Sequence, residues 1–342
     1  MNWQYKEGLV SVLTPCYNTG AIVHRLLDSI LCQDYPLVEV IVVNDGSTDN
    51  TEQVLLSYKS KYEDRGYSFR YIYQENGGQS AAINNGLKYV TGEFLTWPDS
   101  DDCFKRPDTI SSFVKAFLEY PTYGVIRCLP TYVEDITLSN IRNLKITKPF
   151  RADNQFENCL FSHNFYWGAG DYFVRMQCFD SVNSNRQIYN EKGAGQNWQM
   201  LLPILYSYKC RTIEEHLFSV LIRSESHSRI GEDNYNHLLE RAQCYKKTIL
   251  HTLDKIEAIS DEQRSKYKYL IENYYLKENY WIALQFGQPL DARSFKRELM
   301  TNGERISIIK EIAFRFRQSG LFSYLRRFKR HIQNHKRVLT ND

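Results

Sequence analysis

No two of the eight cysteines in this 342-residue chain stand as a CxxC pair; they fall at 16, 32, 103, 128, 159, 178, 210 and 244. His331 and His335 have a zinc-finger spacing, but no cysteine pair precedes them at finger distance, so a zinc site is not expected. Several cysteines lie inside apolar runs, where a free thiol behaves as a small hydrophobe, and the pattern reads as reduced and cytosolic. No apolar window reaches the roughly 18 residues that a membrane-spanning helix needs. Met1-Asn2-Trp3-Gln4-Tyr5-Lys6-Glu7 lacks the basic-then-apolar form of a secretory leader. Repeats and low-complexity stretches are absent. No Gly-x-Gly-x-x-Gly follows the first apolar run, which argues against a dinucleotide oxidoreductase. A cytoplasmic globular chain of roughly two domains is expected, long enough to bury a core without disulfide staples.

What is abundant is aromatic: 25 Tyr and 18 Phe, which suit stacking on sugars or bases or, equally, a Tyr-rich core. The formal net charge is +3, unevenly spread. Between Lys310 and Arg337 nine Lys/Arg face one acid, Glu311, a segment sum of +8 that leaves the remainder at −5. A basic tail on a mildly acidic body usually faces phosphate.

Along the chain, Leu9–Leu13, Val38–Val43, Phe69–Tyr73 and Phe94–Trp97 read as strands. Helical patterns separate them, with Ile22, Leu26 and Ile30 on the first. Asp49 with Glu52 three residues on resembles a capping box for the second, and Gly77-Gly78-Gln79-Ser80 opens the third. Alternation of this kind predicts an open parallel α/β sheet, whose ligands gather at the carboxyl ends of the strands. Past about residue 230 the pattern turns helical, over Asn234–Ile259 and Asp261–Leu284.

Trp97-Pro98-Asp99-Ser100-Asp101-Asp102 is the most informative cluster. Three carboxylates within four residues at the mouth of a buried strand repel one another unless a cation or solvent intervenes. Such oxygen ligands suit Mg²⁺ or Mn²⁺ shared with substrate phosphates; a solvated acidic turn is the bland alternative.

Taken with three other motifs, the first 105 residues resemble a family 2 glycosyltransferase with the GT-A fold. Ser11-Val12-Leu13-Thr14-Pro15-Cys16-Tyr17-Asn18 resembles that family's opening strand and loop. Val42-Val43-Asn44-Asp45-Gly46-Ser47-Thr48-Asp49 resembles its second, Asn76–Gly86 its Gly-rich helix start, and Trp97–Asp102 its metal-binding acidic motif. The resemblance implies a GT-A (Rossmann-like), mostly parallel sheet with flanking helices over residues 1–230, a nucleotide-sugar-binding catalytic domain. A helical C-terminal region, 231–342, with a basic amphipathic tail would follow. Thr14, Pro15, Tyr17, Asn18, Asp45, Gly78, Asn84, Asp99 and Ser100 would then contact the nucleotide sugar. Tyr17 and Pro15 would bracket the base, and Asp45 would accept the uracil N–H, which favours a UDP-sugar. Asp101 would hold Mn²⁺ or Mg²⁺ against the diphosphate, with His227 as a further metal ligand and Arg229 near the phosphates. One departure concerns the phosphates: Ile83 stands where relatives often carry Arg.

A second departure concerns the general base. Gln196 and Asn197 occupy the place of the family's Glu-Asp pair, and amides cannot accept the acceptor hydroxyl's proton. Glu191 and Asp171 are the substitute candidates. Gln196, Asn197 and Trp198 would meet the acceptor, Trp198 by stacking or as a buried core residue. The implied activity is inverting transfer from a UDP-sugar to a lipid-linked glycan in bacterial surface polysaccharide synthesis, of the capsule or O-antigen kind. The basic tail would lie on the inner face of the plasma membrane, its Phe and Leu down, or form a solvated helix docked on the catalytic domain. No nucleic-acid module is recognisable. A nucleotidyltransferase would want a Gly-rich basic first loop, which Thr14–Asn18 is not. A non-catalytic member that binds nucleotide sugar or glycan is the main alternative, because of Gln196 and Asn197.

Overall fold

The computed structural model describes residues 3–134, 140–143, 148–191, 193–222, 233–307, 309, 311, 312 and 314. β1 (Lys6–Cys16) starts polar and exposed and is buried from Val10 onward. α1 (His24–Leu31) lays Leu26, Leu27 and Ile30 against it and leads to β2 (Val38–Asp45), buried along its whole length. That is the expected signature of a parallel strand covered on both faces. α2 (Thr51–Ser57) and α3 (Lys59–Asp64) precede β3 (Ser68–Gln74). The Asp49–Glu52 box does not close: Asp49 bonds the Thr51 and Gly20 amides, and Glu52 accepts from Tyr71 Oη instead. α4 (Gln79–Leu87) crosses back to β4 (Gly92–Thr96). At Gly86 a Cβ would come within 2.1 Å of Leu13 Cδ1, so only glycine lets this helix approach β1 so closely.

β5 (Cys103–Phe104), α5 (Thr109–Glu119), β6 (Val125–Glu134) and β7 (Asn140–Asn143) follow, then α6 (Phe156–Leu160), β8 (Tyr172–Arg175) and α7 (Met176–Val182). α8 (Gln196–Ser207) and β9 (Cys210–Ile222) complete the strand-bearing part. Among the described residues these strands form one sheet in the order β3-β2-β1-β4-β8-β6-β9-β5, with β7 on β6. β1 to β4 run parallel, whereas β8 enters antiparallel between β4 and β6, so the sheet beyond β4 is mixed. Phe94 on Phe117 and Phe113 on Phe173 join α5 to the sheet, their ring centroids 4.5 and 3.9 Å apart.

α9 (Tyr235–Lys255), α10 (Asp261–Gln285) and α11 (Pro289–Thr301) make up the helical part. The chain divides into two compact units, Met1–Ile230 with Cys244–Ser265, and Gly231–Gln243 with Lys266–Asp342. The second unit has its own small core of Tyr280, Ala283 and Ala292, with Trp281, Phe295 and Ile306 packed on it. No helix among the described residues is long and apolar enough to cross a membrane.

Two buried charges tie the first unit together. Glu39, 6% exposed, accepts from Ser11 Oγ and from the Thr91 and Gly92 amides. Arg186, 1% exposed, makes a two-pronged pair with Asp180 at 2.8 Å on each prong and donates to the Leu87 and Val90 carbonyls. The Arg186 pair fastens the segment after α7 to the end of α4. Arg186→Met leaves the Asp180 carboxylate buried beside a methyl group and is expected to cost about 3–5 kcal/mol, measured by urea unfolding. Adding Asp180→Leu should restore a large part of that loss.

Candidate active site

The polar loops gather at the carboxyl ends of β1, β2 and β4. After β1, Thr14 and Pro15 are buried while the Tyr17 ring is 44% exposed. Asn18, in the left-handed region at φ 51°, donates its amide to Ser47 Oγ and accepts from the Thr48 amide. That exchange pins the first loop to the second. At the end of β2, Asp45 accepts at Oδ1 from Gln74 Nε2 (2.7 Å) and the Gly77 amide (2.8 Å), and at Oδ2 from the Gly78 amide (2.9 Å). A carboxylate has about four acceptor positions, so Asp45 shapes the Gly-rich turn and keeps capacity for one further donor.

Asn84 faces the interior of the unit, exchanging two hydrogen bonds with the Ile188 backbone at 2.8 and 2.7 Å. Ile83, at the position where an Arg was looked for, is fully buried, so α4 supplies no cation there.

Trp97, just past the end of β4, is completely buried, its indole N–H donating to Asn197 Oδ1 at 3.0 Å. Ser100 is buried in the turn that follows. Asp99 Oδ1 accepts from Gln79 Nε2 (2.7 Å) and Gln196 Nε2 (3.2 Å), the first residues of α4 and α8. Asp102 Oδ1 accepts the Leu221 amide of β9 at 2.8 Å. Burial, then the Asp101 charge, pushes Asp99 up to about 7. Burial, then Asp101 and Asp99, pushes Asp102 well above the carboxylate range. Asp102 is buried while Asp99 and Asp101 keep some exposure, so the like charges are only partly screened, and a divalent cation would relieve that arrangement.

The donor set fits one. Only oxygen is offered, and the described residues hold no group of three or more His, Cys, Asp or Glu arranged to cage a metal. A hard cation held by one or two carboxylates and completed by phosphate oxygens matches such a half-site.

The acceptor-side candidates separate by exposure. Asp171 is fully buried, 3.7 Å from Cys128 Sγ at Oδ1 and unpartnered at Oδ2, and burial raises it well above the carboxylate range. No surface of it meets solvent. Glu191 is exposed and accepts the Tyr189 hydroxyl, whose ring stacks on His251 at 4.1 Å. Trp198 is 8% exposed, donates to the Cys159 carbonyl, and packs on Trp167 (4.7 Å) and Tyr245 (5.0 Å), both partly exposed. His227, Arg229 and most of the basic tail lie outside the described residues. Gln79 was not foreseen. Its contact with Asp99 depends on where α4 begins relative to the end of β4, which no short-range pattern displays.

An open α/β sheet with an acidic turn at the mouth of β4 defines a GT-A-like fold. Residues 11–172 match the profile of Glycosyl transferase family 2, and the chain carries a domain of that family. Over 226 residues it is 27% identical to the glycosyltransferase GlyA of Streptococcus pneumoniae serotype 4, covering 66% of this chain and 27% of that protein. Over 96 residues it is 43% identical to the uncharacterized glycosyltransferase RT0329 of Rickettsia typhi, covering 28% of each. The chain thus spans about a quarter of the length of these relatives. Among solved structures it is similar to the mannosyltransferase PcManGT of Pyrobaculum calidifontis in complex with GDP-Man and Mn²⁺. The TM-score is 0.56 at 17% identity, covering 95% of this chain and 86% of that one. It is also similar to Staphylococcus aureus TarS 1–349 in complex with UDP-GlcNAc, with a TM-score of 0.53 at 16% identity over 87% and 93% of the two chains. At these identities the likeness is one of fold.

The crowding has a measurable consequence. Gln196→Glu sets a second carboxylate beside Asp99 and removes its amide donor, so the melting temperature in EDTA should fall by roughly 3–6 °C. Excess Mn²⁺ or Mg²⁺ should recover most of that drop, and should raise the wild type as well, by a smaller amount.

Proposed function

We propose that this chain is an inverting, metal-dependent glycosyltransferase that moves a sugar from a UDP-sugar to a lipid-linked glycan acceptor in bacterial surface polysaccharide synthesis. The observation that carries the reading is the convergence of Tyr17, Asp45 and the Asp99–Asp102 turn at the ends of adjacent parallel strands. The family 2 domain over residues 11–172 supports it, as do the GDP-Man and UDP-GlcNAc complexes of the two structural neighbours.

In this reading Tyr17 stacks on the base and Asp45 accepts its ring N–H. Thr14, Pro15, Asn18 and Gly78 wall the nucleotide pocket, and Asp99 and Ser100 meet the ribose side. Asn84 acts from beneath, through the segment it brackets. Asp101 would hold Mn²⁺ or Mg²⁺ with Asp99 beside it, and His227, outside the described residues, would be a further ligand. The cation, when bound, neutralises the charge that develops on the departing diphosphate. The acceptor oxygen forms its bond to the anomeric carbon from the face opposite the diphosphate as the carbon–oxygen bond to phosphate breaks. Glu191, exposed and held by Tyr189, takes the acceptor's proton; Asp171, sealed from solvent and pushed by burial well above the carboxylate range, is a poorer choice. Gln196 and Asn197 fix the acidic turn and border the acceptor together with the Trp198 cluster.

A binding protein without transfer is the second reading, favoured by the two amides at 196 and 197, which bond Asp99 and Trp97 and take no proton.

UDP-sugar hydrolysis with and without Mn²⁺ separates the two readings. Metal-dependent turnover that falls at least a hundredfold in Asp101→Ala and in Glu191→Gln is expected. Turnover that survives in Glu191→Gln removes that base, and UDP binding without turnover on any donor favours the second reading. Absence of metal-assisted UDP uptake by calorimetry would sink the transferase reading.

A further inference from the structure

We propose that the outward face of α11, with the residues that follow it, docks on an anionic lipid surface. The inference concerns the second unit alone and stands apart from the transferase reading. In α11 the inward side is set by Ala292 and Leu299, both buried. Opposite them, at helical spacings of three, seven and ten residues, lie Leu290, Arg293, Arg297 and Met300. Leu290 is 76% and Met300 66% exposed, and both arginines are exposed. The two acids of the helix, Asp291 and Glu298, stand to one side, and Asp291 is engaged by the Tyr235 hydroxyl at 2.6 Å.

The described residues after the helix stay with this unit, since Lys296 Nζ bonds Glu311 at 2.7 Å and Phe314 packs on Trp281, and they add exposed apolar side chains. Ile309 is 80% and Ile312 62% exposed. Single exposed apolar residues are ordinary; two flanking a pair of arginines on one helix face, with two more a few residues on in the same small unit, are not. Apolar side chains that enter the acyl boundary, with guanidinium groups at headgroup phosphate, are the composition of an interfacial surface. Onward from Ile312 the sequence keeps that chemistry, with nine Lys/Arg against one acid between Lys310 and Arg337. A second copy of the chain is disfavoured as the occupant, because a two-fold contact would bring Arg293 and Arg297 against their own counterparts. Free phosphate would not call for four exposed apolar residues.

The test is co-sedimentation of the full chain with phosphatidylcholine vesicles, with and without about one-third phosphatidylserine, at about 0.1 and about 0.5 M NaCl. Binding is expected on the anionic vesicles, weak on neutral ones, and weaker at the higher salt. Arg293→Glu with Arg297→Glu should lower partitioning by tenfold or more, at about fivefold per charge removed. Leu290→Ser with Met300→Ser should lower it by a similar factor, with the melting temperature and UDP affinity unchanged in both. Variants that partition like the wild type would assign any membrane binding to other residues and overturn the proposal. So would equal binding to neutral vesicles, no binding at all, or a vesicle-free dimer that these substitutions dissolve. Loss of UDP binding in the wild type would refute the transferase reading and leave this one standing.

Discussion

Three aspartates in a turn at the mouth of β4 are the constraint around which the first unit is arranged. They repel one another at the end of a sealed strand, with Asp102 buried and Asp99 and Asp101 partly exposed. The fold answers with donors from three distant segments: the Gln79 amide of α4, the Gln196 amide of α8 and the Leu221 N–H of β9. Each donor also fixes its own element, so the start of two helices and the course of a strand are coupled to the same few oxygens. The charge that remains is what suits the turn to a divalent cation and a diphosphate.

The amides at 196 and 197 gain meaning from this setting. A glutamate at 196 would add another negative group to a turn already crowded with carboxylates, whereas Gln196 supplies a donor. Asn197 accepts the indole N–H of Trp97, so the buried end of β4 and the start of α8 are held in register by side chains alone. Both positions therefore support the acidic turn. Neither amide can take a proton, and of the two candidate carboxylates Glu191 is exposed whereas Asp171 is sealed.

The two units solve different problems. The first buries two charges with complete hydrogen bonding, Glu39 under Gly92 and Arg186 beneath the end of α4, so its interior is polar as well as apolar. The second has a core of only a few aromatic and alanine side chains, and keeps large apolar residues in solvent on α11 and just beyond it. A small core gains little from each residue, and it can leave apolar groups outside when another surface is there to cover them.

The local period and the loop chemistry were readable from the amino acids. Continuous apolar runs marked β1, β2 and β4, glycine pairs marked the start of α4, and the clustered acids marked the turn that matters most. These signals are short-range, and a chain displays them without knowing its neighbours. Direction and distance were not readable. That β8 enters antiparallel, that Asn84 serves Ile188, that Ile83 and Asp171 are sealed, and that Gln79 and Gln196 meet on one carboxylate all follow from strand order and helix packing. Such contacts join residues up to about a hundred positions apart, and only the assembled sheet and its packed helices bring them within hydrogen-bond reach.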